Sequence, residues 1–179
     1  GDLGDRQLCR VEDFIPYHEG FDALLCGPET LAALSALMDE EAVIFKEKIN
    51  LKLPGGAGFA AHQDAPAFET FGHRYHITMM LAVDDSTVAN GCLEMSDPVD
   101  IYALLDQERD KTIAKDLEDM LPWRPLEVRA GDIVFFDSYI PHRSSPNGSD
   151  TSRRALYVTY NRLSEGSVRD AYFDAKRAA

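Results

Sequence analysis

The sequence is poor in cysteine, and its three cysteines form no recognisable pattern. Cys9, Cys26 and Cys92 are an odd number and lie far apart. They fit neither a disulfide framework nor a cysteine-based zinc motif, so we interpret them as reduced thiols. Because thiols stay reduced in the cytoplasm, we expect a cytoplasmic protein.

Positive charge is also scarce. The chain has 18 lysines and arginines against 31 aspartates and glutamates, which gives a formal net charge of −13. A chain this acidic repels nucleic acid, and no basic cluster offers a track for a phosphate backbone. We therefore expect no nucleic-acid partner. Any anionic small molecule has to be bound by local positive charge.

Long apolar runs are missing as well. We expect no stretch to approach the roughly 20 apolar residues that a membrane span requires. The opening residues, GDLGDRQLCR, lack a signal-peptide pattern, so we expect no membrane partner. The 179 residues, of which 45% are hydrophobic, suit a single domain over residues 1–179.

Alternation of polar and apolar residues predicts a strand over residues 42–53. One predicted face is polar and carries Lys46, Lys48, Asn50 and Lys52. The other face is mainly apolar and carries Val43, Phe45, Glu47, Ile49 and Leu51. The polar face either lies in solvent or lines a polar interior that binds an anion.

Further short strands are predicted around residues 74–83, 92–95, 126–128, 133–136 and 154–160, with the third and fourth paired. Helices are predicted over residues 28–40, 100–120 and 167–179, the last capped by Ser167. Four residues before the first helix are expected to cover part of a core: Phe14, Ile15, Tyr17 and Phe21. Short strands with separate helices predict a mainly β sandwich or barrel with flanking helices.

A histidine and an aspartate two residues apart form the candidate site. His62 and Asp64 follow a glycine-rich turn, and alternation along an extended strand places both on one face. Two histidines and one carboxylate are the ligand set of non-haem Fe(II) oxygenases, and we choose His142 as the second histidine. A hairpin through residues 144–150 would bring Arg153 near His142, where its guanidinium could bind a carboxylate bidentately. Alone, each of these signals is weak.

Three stretches together resemble the phytanoyl-CoA dioxygenase family of Fe(II)/2-oxoglutarate oxygenases. They read FKEKINLKLPGGAGFAAHQDAPAF, YHITMMLAVDDSTVANGCLEM and RAGDIVFFDSYIPHRSSPNGSDTSRRALYVTYN, within residues 44–161. The resemblance implies a double-stranded β-helix, that is, a cupin-like jelly roll. It implies His62, Asp64 and His142 as iron ligands. It implies Arg153 as the residue that binds 2-oxoglutarate, with Arg154 as the alternative if the register slips.

The resemblance also implies that the strand before the metal motif faces the co-substrate. Asn50, Lys46 and Thr78 are then candidates for contact with 2-oxoglutarate. The implied reaction uses O₂ to convert 2-oxoglutarate to succinate and CO₂ while a substrate is hydroxylated. A halogenating relative has a small residue in place of the carboxylate ligand, so Asp64 implies hydroxylation.

Four shorter stretches, IFKEKIN, HQDAPAF, SYIPHRSSPN and YNRLSEG, most resemble hydroxylases of 2-aminoethylphosphonate and related organophosphonates. These act at the α-carbon of the phosphonate. Lys46, Lys48 and Arg143 could supply positive charge for such a substrate, or they could be surface charges that balance an acidic protein, and for Arg143 we favour the second interpretation. An acyl-CoA substrate is less attractive because no basic patch suits its phosphates.

Other interpretations stay open at this point. The chain could hydroxylate another small metabolite, or it could be a jelly-roll module that binds a metal or ligand without turnover. A zinc hydrolase would require a motif such as His-Glu-x-x-His, which the sequence lacks. Residues 96–99 read SDPV where the family continues into a Pro-Gly-Ser-His-like stretch. Family chains also carry more sequence before the first helix, so we expect that some N-terminal family sequence is absent.

Overall fold

The computed structural model of the protein describes residues 7–68, 71–97 and 103–178. The strands in these ranges are β1 (Arg10–Glu12), β2 (Ala42–Lys52), β3 (Phe59–His62), β4 (His76–Ala82), β5 (Leu93–Met95), β6 (Arg124–Leu126), β7 (Ile133–Asp137), β8 (His142–Ser144) and β9 (Arg153–Arg162). The α-helices are α1 (Glu19–Leu25), α2 (Pro28–Met38), α3 (Ala65–Phe68), α4 (Lys115–Met120) and α5 (Arg169–Ala178). Short 3₁₀ turns occupy Ile15–Tyr17 and Leu163–Glu165.

The strands form two antiparallel sheets. The large sheet has the order β1-β2-β9-β4-β7, and the small sheet has the order β3-β8-β5-β6. Long antiparallel ladders join β2 to β9 and β9 to β4 in the large sheet. The prediction of a mainly β protein with flanking helices is confirmed, and the single-domain assignment stays a prediction.

Helices cover the outer face of the large sheet. The core on this side contains Phe14, Leu25, Leu34, Met38, Ala42, Ile77, Met79, Leu156, Val158 and Tyr160. Because strand side chains alternate, the intervening residues of β4 and β9 point the other way, where Met80 and Ala155 pack with Leu93 and Phe136. The predicted contribution of Phe14 to the core is confirmed. The same prediction is wrong for Tyr17, which is 82% exposed.

A bulge in β2 changes the predicted pattern at the start of this strand. The pairing with β9 shifts between Ile44 and Lys46, so the intervening Phe45 leaves the simple alternation. Ile44 and Ile49 contact the helix-side core, whereas Phe45 packs against Phe68 and His76. Phe45 therefore belongs to the region around the candidate site, which corrects its predicted place beside Ile49.

The stretch Glu19–Met38 is long and apolar enough to cross a membrane, with a hydropathy of 1.3 over its most apolar window. This corrects the expectation that no such stretch exists. By itself the finding is weak, because the core helices of globular proteins meet the same criteria. Here the stretch is two helices, α1 and α2, and Leu25, Leu34 and Met38 are buried against the large sheet.

The long helix predicted over residues 100–120 is wrong for its described part. Only α4 is helical, and residues 103–114 form turns and isolated bridges instead. Residues 98–102, which include part of the predicted helix and of the SDPV stretch, lie outside the described residues. Ile113 is fully buried and its amide donates to Ala61 O at 2.8 Å, so contacts with β3 override the helical pattern here.

Two other strand predictions need correction. β6 and β7 do not pair with each other, because β6 pairs with β5 in the small sheet and β7 pairs with β4 in the large sheet. The segment predicted as a loop after β7 contains β8, which pairs with both β3 and β5. The partner of a strand depends on the sheet to which that strand belongs. The alternation of residues within one strand does not show when the chain passes from one sheet to the other.

All three cysteines are free. Burial raises the pKa of the Cys26 thiol to about 11, and it also raises the pKa of Cys92. Both are therefore protonated and unreactive at neutral pH. The cytoplasmic location stays a prediction.

Candidate metal centre and its pocket

Three side chains converge where β3 ends and β8 begins. His62 and His142 are direct partners across these two strands, and their ring centroids are 4.2 Å apart. Asp64 lies in the bend before α3, and its Oδ2 is 4.0 Å from His142 Nε2. Each of the three offers one ligand atom, and these atoms lie within 4.8 Å of one another. The structure therefore brings together the three residues that the sequence predicted as ligands.

A backbone carbonyl holds the Nδ1 atom of each histidine. His62 Nδ1 is 2.8 Å from Ala60 O, and His142 Nδ1 is 2.9 Å from Ile140 O. Because a carbonyl oxygen only accepts, each Nδ1 carries the proton and each Nε2 keeps its lone pair. Metal-binding histidines commonly make this outer hydrogen bond. The donor set therefore fits a divalent metal ion.

The charges at the site also suit a metal ion. Burial lowers the pKa of His142 to about 4, against the opposing charge of Asp64, so the imidazole is neutral at neutral pH. Burial alone would raise the pKa of Asp64, but the positive charges of His142 when protonated, Lys46 and Lys48 hold it well below its usual range. Asp64 is therefore an anion. A neutral imidazole and a carboxylate are the forms that bind metal ions.

A cavity open to solvent lies beside the three residues. The large sheet contributes a polar wall to it, made of Lys46, Lys48, Asn50, Thr78, Tyr157 and Thr159. The polar face of β2 thus lines an interior, which decides between the two alternatives left open by the sequence. Lys52, on the same face, is buried, and its Nζ donates to Gly91 O, Ser144 Oγ and Ser145 O.

Aromatic rings flank the two lysines of this wall. Lys46 Nζ lies 4.1 Å from the centroid of Phe68, and Lys48 Nζ lies 5.5 Å from that of Tyr157. Burial lowers the pKa of Lys46 to about 7, and it also lowers the pKa of Lys48. Neither lysine takes part in any salt bridge between described residues. Two lysines without a carboxylate partner among the described residues make this wall receptive to an anion, which would stabilise their protonated forms.

Asn50 and Thr78 line the same cavity. The Asn50 Oδ1 accepts from Arg10 Nε at 3.1 Å, and the Thr78 hydroxyl is 3.2 Å from the Thr159 hydroxyl. Both predicted residues therefore face the candidate metal centre. Their contact with a co-substrate stays a prediction.

Two neighbouring arginines of β9 differ in their partners. Arg154 binds Asp84 through Nε and Nη2 at 2.8 and 2.7 Å, and 53% of its side chain is exposed. Arg153 is only 4% exposed, and within the described part of the chain it has no salt bridge. Its Nη1 donates to Ser86 Oγ at 3.2 Å, and its Nε has no partner among the described residues. A buried guanidinium without a counter-ion fits an anion that the chain itself does not supply.

Arg153 does not reach the site by the predicted hairpin. β8 and β9 belong to different sheets, so the 144–150 loop carries the chain across rather than back along its neighbour. Arg153 instead lies on the inner face of β9 beside Tyr157. Burial raises the pKa of Tyr157, and the nearby charge of Arg153 opposes that effect. Tyr157 therefore connects the guanidinium to the cavity wall.

Arg143 lines the cavity, but its charge is already paired. Its guanidinium donates to Glu94 at 3.1 and 3.0 Å and to Glu118 at 3.0 Å. It also lies 4.4 Å from the ring of Trp123. The interpretation of Arg143 as a charge that balances acidic residues is therefore favoured over a role in binding substrate.

Sequence reasoning missed Tyr157 and Thr159 as cavity residues. The sequence of β9 contained the information, because side chains two residues apart in a strand share a face. Counting from Arg153 in steps of two reaches both residues. Applying the alternation of β9 to its polar residues would have found them.

The whole chain was compared with known proteins. The profile of the family described as "Phytanoyl-CoA dioxygenase (PhyH)" matches residues 11–155. The chain belongs to the phytanoyl-CoA dioxygenase family. It is 57% identical over 176 residues to "2-aminoethylphosphonate dioxygenase" of uncultured bacterium HF130_AEPn_1, covering 98% of this chain and 67% of that relative. It is 44% identical over 168 residues to "Methylphosphonate hydroxylase" of Gimesia maris, covering 94% of this chain and 64% of that relative. The chain thus spans about two thirds of the length of these family members.

Solved structures show the same fold. EctD from S. alaskensis, crystallised with 2-oxoglutarate and 5-hydroxyectoine, aligns with a TM-score of 0.80 at 16% identity, covering 92% of this chain and 60% of EctD. AviO1 from Streptomyces viridochromogenes Tue57 aligns with a TM-score of 0.66 at 27% identity, covering 89% and 70%. The two antiparallel sheets of the present chain therefore form a jelly roll, as predicted.

Proposed function

We propose that this chain forms the catalytic core of an Fe(II)- and 2-oxoglutarate-dependent dioxygenase that hydroxylates an organophosphonate at its α-carbon. One observation carries the proposal. Two histidine Nε2 atoms and one carboxylate meet at the wall of a cavity, and Tyr157 of that wall lies beside Arg153, a buried arginine without a salt bridge to any described residue. A metal-binding module without turnover has no need of that arginine.

His62, Asp64 and His142 would hold the iron in this proposal. Three ligands from one side leave further positions for a co-substrate and O₂. Bound there together with 2-oxoglutarate and O₂, iron supplies the oxidising power to hydroxylate a C–H bond. The chain itself fixes the histidine tautomers through Ala60 O and Ile140 O.

Arg153 would bind the distal carboxylate of 2-oxoglutarate. Its Nη1 is oriented by Ser86, and Tyr157 lies beside it. A guanidinium pairs with a carboxylate through two parallel hydrogen bonds, which defines both the position and the orientation of the acid. Asn50 and Thr78 face the same cavity and would contact the remaining part of the co-substrate.

Lys46 and Lys48 would bind the phosphonate group. Both lie on the cavity wall, and the acidic group that raises the pKa of each most is Asp64, one of the proposed iron ligands. The two relatives named for 2-aminoethylphosphonate and methylphosphonate support this substrate class. Arg143 is set aside because Glu94 and Glu118 neutralise it. Lys46 is also the candidate for contact with 2-oxoglutarate named from the resemblance.

The test is succinate formation by protein that has been loaded with iron without oxygen. The protein is then given 2-oxoglutarate and O₂ with a panel of phosphonates, quaternary amines and acyl-CoAs. Succinate formation stimulated by phosphonates, together with a hydroxylated phosphonate, is expected. Stimulation by another class would overturn the substrate, and no succinate from iron-bound protein would favour a binding module.

A further inference from the structure

Gln63 stands between two of the proposed iron ligands and points away from them. The residue is only 3% exposed, and both polar atoms of its side-chain amide hydrogen-bond to other parts of the chain. The Nε2 donates to Tyr139 O at 2.6 Å and to Ala103 O at 3.0 Å. The Oε1 accepts from Leu105 N at 2.9 Å. Gln63 therefore joins three separate segments at one buried amide.

One of these segments carries the third proposed ligand. Tyr139 precedes Ile140, whose carbonyl holds His142 Nδ1 at 2.9 Å. The amide of Gln63 thus ties the bend that presents His62 and Asp64 to the turn that presents His142. β3 and β8 also pair at this end, but their register is irregular between Phe59 and His62. The side-chain bridge adds a fixed distance where the ladder is incomplete.

The remaining segment is residues 103–105, the start of what we call the strap (residues 103–114). The strap lies along β3: Ile113 N donates to Ala61 O at 2.8 Å, and Thr112 forms a bridge with His62. Gln63 hydrogen-bonds to the first residues of the strap, and β3 pairs with its last residues. The strap therefore covers the open edge of the strand that carries His62.

We infer that Gln63 is a positioning residue for the metal centre. It ties the His62–Asp64 bend to the His142 turn through its hydrogen bond to Tyr139 O, and to the strap through its bonds with Ala103 O and Leu105 N. This inference rests on the proposed metal site. A carboxylate in its place can accept from Leu105 N but cannot donate to the two carbonyls, and an aliphatic side chain can do neither. Loss of the bridge frees two ligand-bearing segments that have to meet within one coordination sphere.

The test measures binding of Mn²⁺, a redox-stable probe, by titration of the metal-free protein. We expect Gln63→Leu and Gln63→Glu to weaken Mn²⁺ binding by about tenfold, the lower end of the effect of losing a direct outer partner of a metal ligand, because Gln63 acts through the backbone that carries the ligands. Gln107→Leu is the matched control, because Gln107 lies on the same strap and its Nε2 has no partner in the described ranges. The control should change Mn²⁺ affinity by less than about twofold.

Two further measurements separate positioning from simple stabilisation. The melting temperature of each metal-free variant reports stability, and the absorption spectrum of the Co²⁺-saturated protein reports the ligand geometry. Gln63→Glu and Gln63→Leu should change the Co²⁺ spectrum, whereas Gln107→Leu should not. Unchanged Mn²⁺ affinity and an unchanged spectrum in both Gln63 variants, whatever their melting temperatures, would overturn the inference. If the wild-type protein itself binds no Mn²⁺, the metal site fails, and the inference fails with it.

Discussion

The two faces of the large sheet are built by the same strands but have different chemistry. On β9, Leu156, Val158 and Tyr160 face the helices and pack in an apolar core. Between them, Tyr157 and Thr159 face the small sheet and line the cavity. Both faces are covered by protein, so exposure to water does not explain the polar one. Apolar residues would stabilise a buried face at least as well. We therefore interpret the polar residues of the inner face as groups that bind a ligand, and the apolar residues of the outer face as groups that stabilise the fold.

The largest effect on turnover should come from removing a ligand on the inner side. Asp64→Ala leaves two histidines without the carboxylate, so bound iron and 2-oxoglutarate turnover should fall to background while the protein stays folded. Iron content after loading, succinate formation and the melting temperature are measured together. Asp84→Ala, which removes an outer carboxylate that pairs with Arg154, should keep its iron. Turnover that persists in Asp64→Ala would remove this residue from the ligand set.

The neighbouring arginines allow the same comparison with one substitution. Arg153→Gln should raise the KM for 2-oxoglutarate by about tenfold to a hundredfold, the value of hydrogen bonds to a charged group. Arg154→Gln breaks an exposed pair with Asp84, so it should leave this KM unchanged and cost at most about 1 kcal/mol of stability. Steady-state kinetics with 2-oxoglutarate varied distinguish the two. Equal KM values for both variants would place the anchor elsewhere.

The pH dependence of stability should expose the buried charge of Lys46. Burial lowers its pKa from 10.5 to about 7, so the unfolded chain binds a proton that the folded one has released between these values. Folded stability therefore rises with pH across that window, and the full penalty of the buried charge applies below it. Lys46→Met removes the penalty. Its metal-free form should melt above the wild type below pH 7, with a gain that shrinks as the pH approaches 10.5.

The control for this prediction is an exposed lysine. Lys115→Met removes a side chain that is 70% exposed and pairs with Glu118 and Asp119. It should show no gain at low pH. A gain in Lys46→Met that does not vary with pH would mean that the variant is stabilised by apolar packing rather than by loss of charge.

The sequence predicted local features well and long-range pairing poorly. Alternation found β2, and the spacing of Leu31, Leu34, Leu37 and Met38 found α2, because both patterns are set by residues close in the chain. Leu37 is nevertheless 52% exposed. The bulge at Phe45 was missed because only the partner strand reveals it. The strap was predicted as a helix because the residues around Ile113 do not show that it is buried against β3.

The residues of the candidate site show the same contrast between what the sequence predicts and what only the fold reveals. His62, Asp64 and His142 were predicted as a set through the resemblance, and the structure brings them together. The pairing of Arg143 with Glu94 and Glu118 was beyond the sequence, since it joins residues from separate elements. Geometry within one strand is readable, whereas charge compensation between strands requires the fold.

The smallest predicted effects come from two tyrosines of one strand, and they sharpen the comparison most. Tyr157 faces the cavity beside Arg153, and Tyr160 faces the core, where its hydroxyl donates to Leu25 O at 2.8 Å. Removing either hydroxyl loses about 0.5–1.5 kcal/mol of hydrogen bonding. Tyr157→Phe should express this loss as a KM for 2-oxoglutarate raised about two- to twelvefold.

Tyr160→Phe should express the same loss as stability. Its melting temperature should fall by a few degrees, about 2–4 °C for each kcal/mol in a chain of this size, while its KM for 2-oxoglutarate stays at the wild-type value. The two variants differ only in the face from which one oxygen atom is removed. If both changed KM, or if both changed only the melting temperature, the division of this sheet into a binding face and a folding face would be wrong.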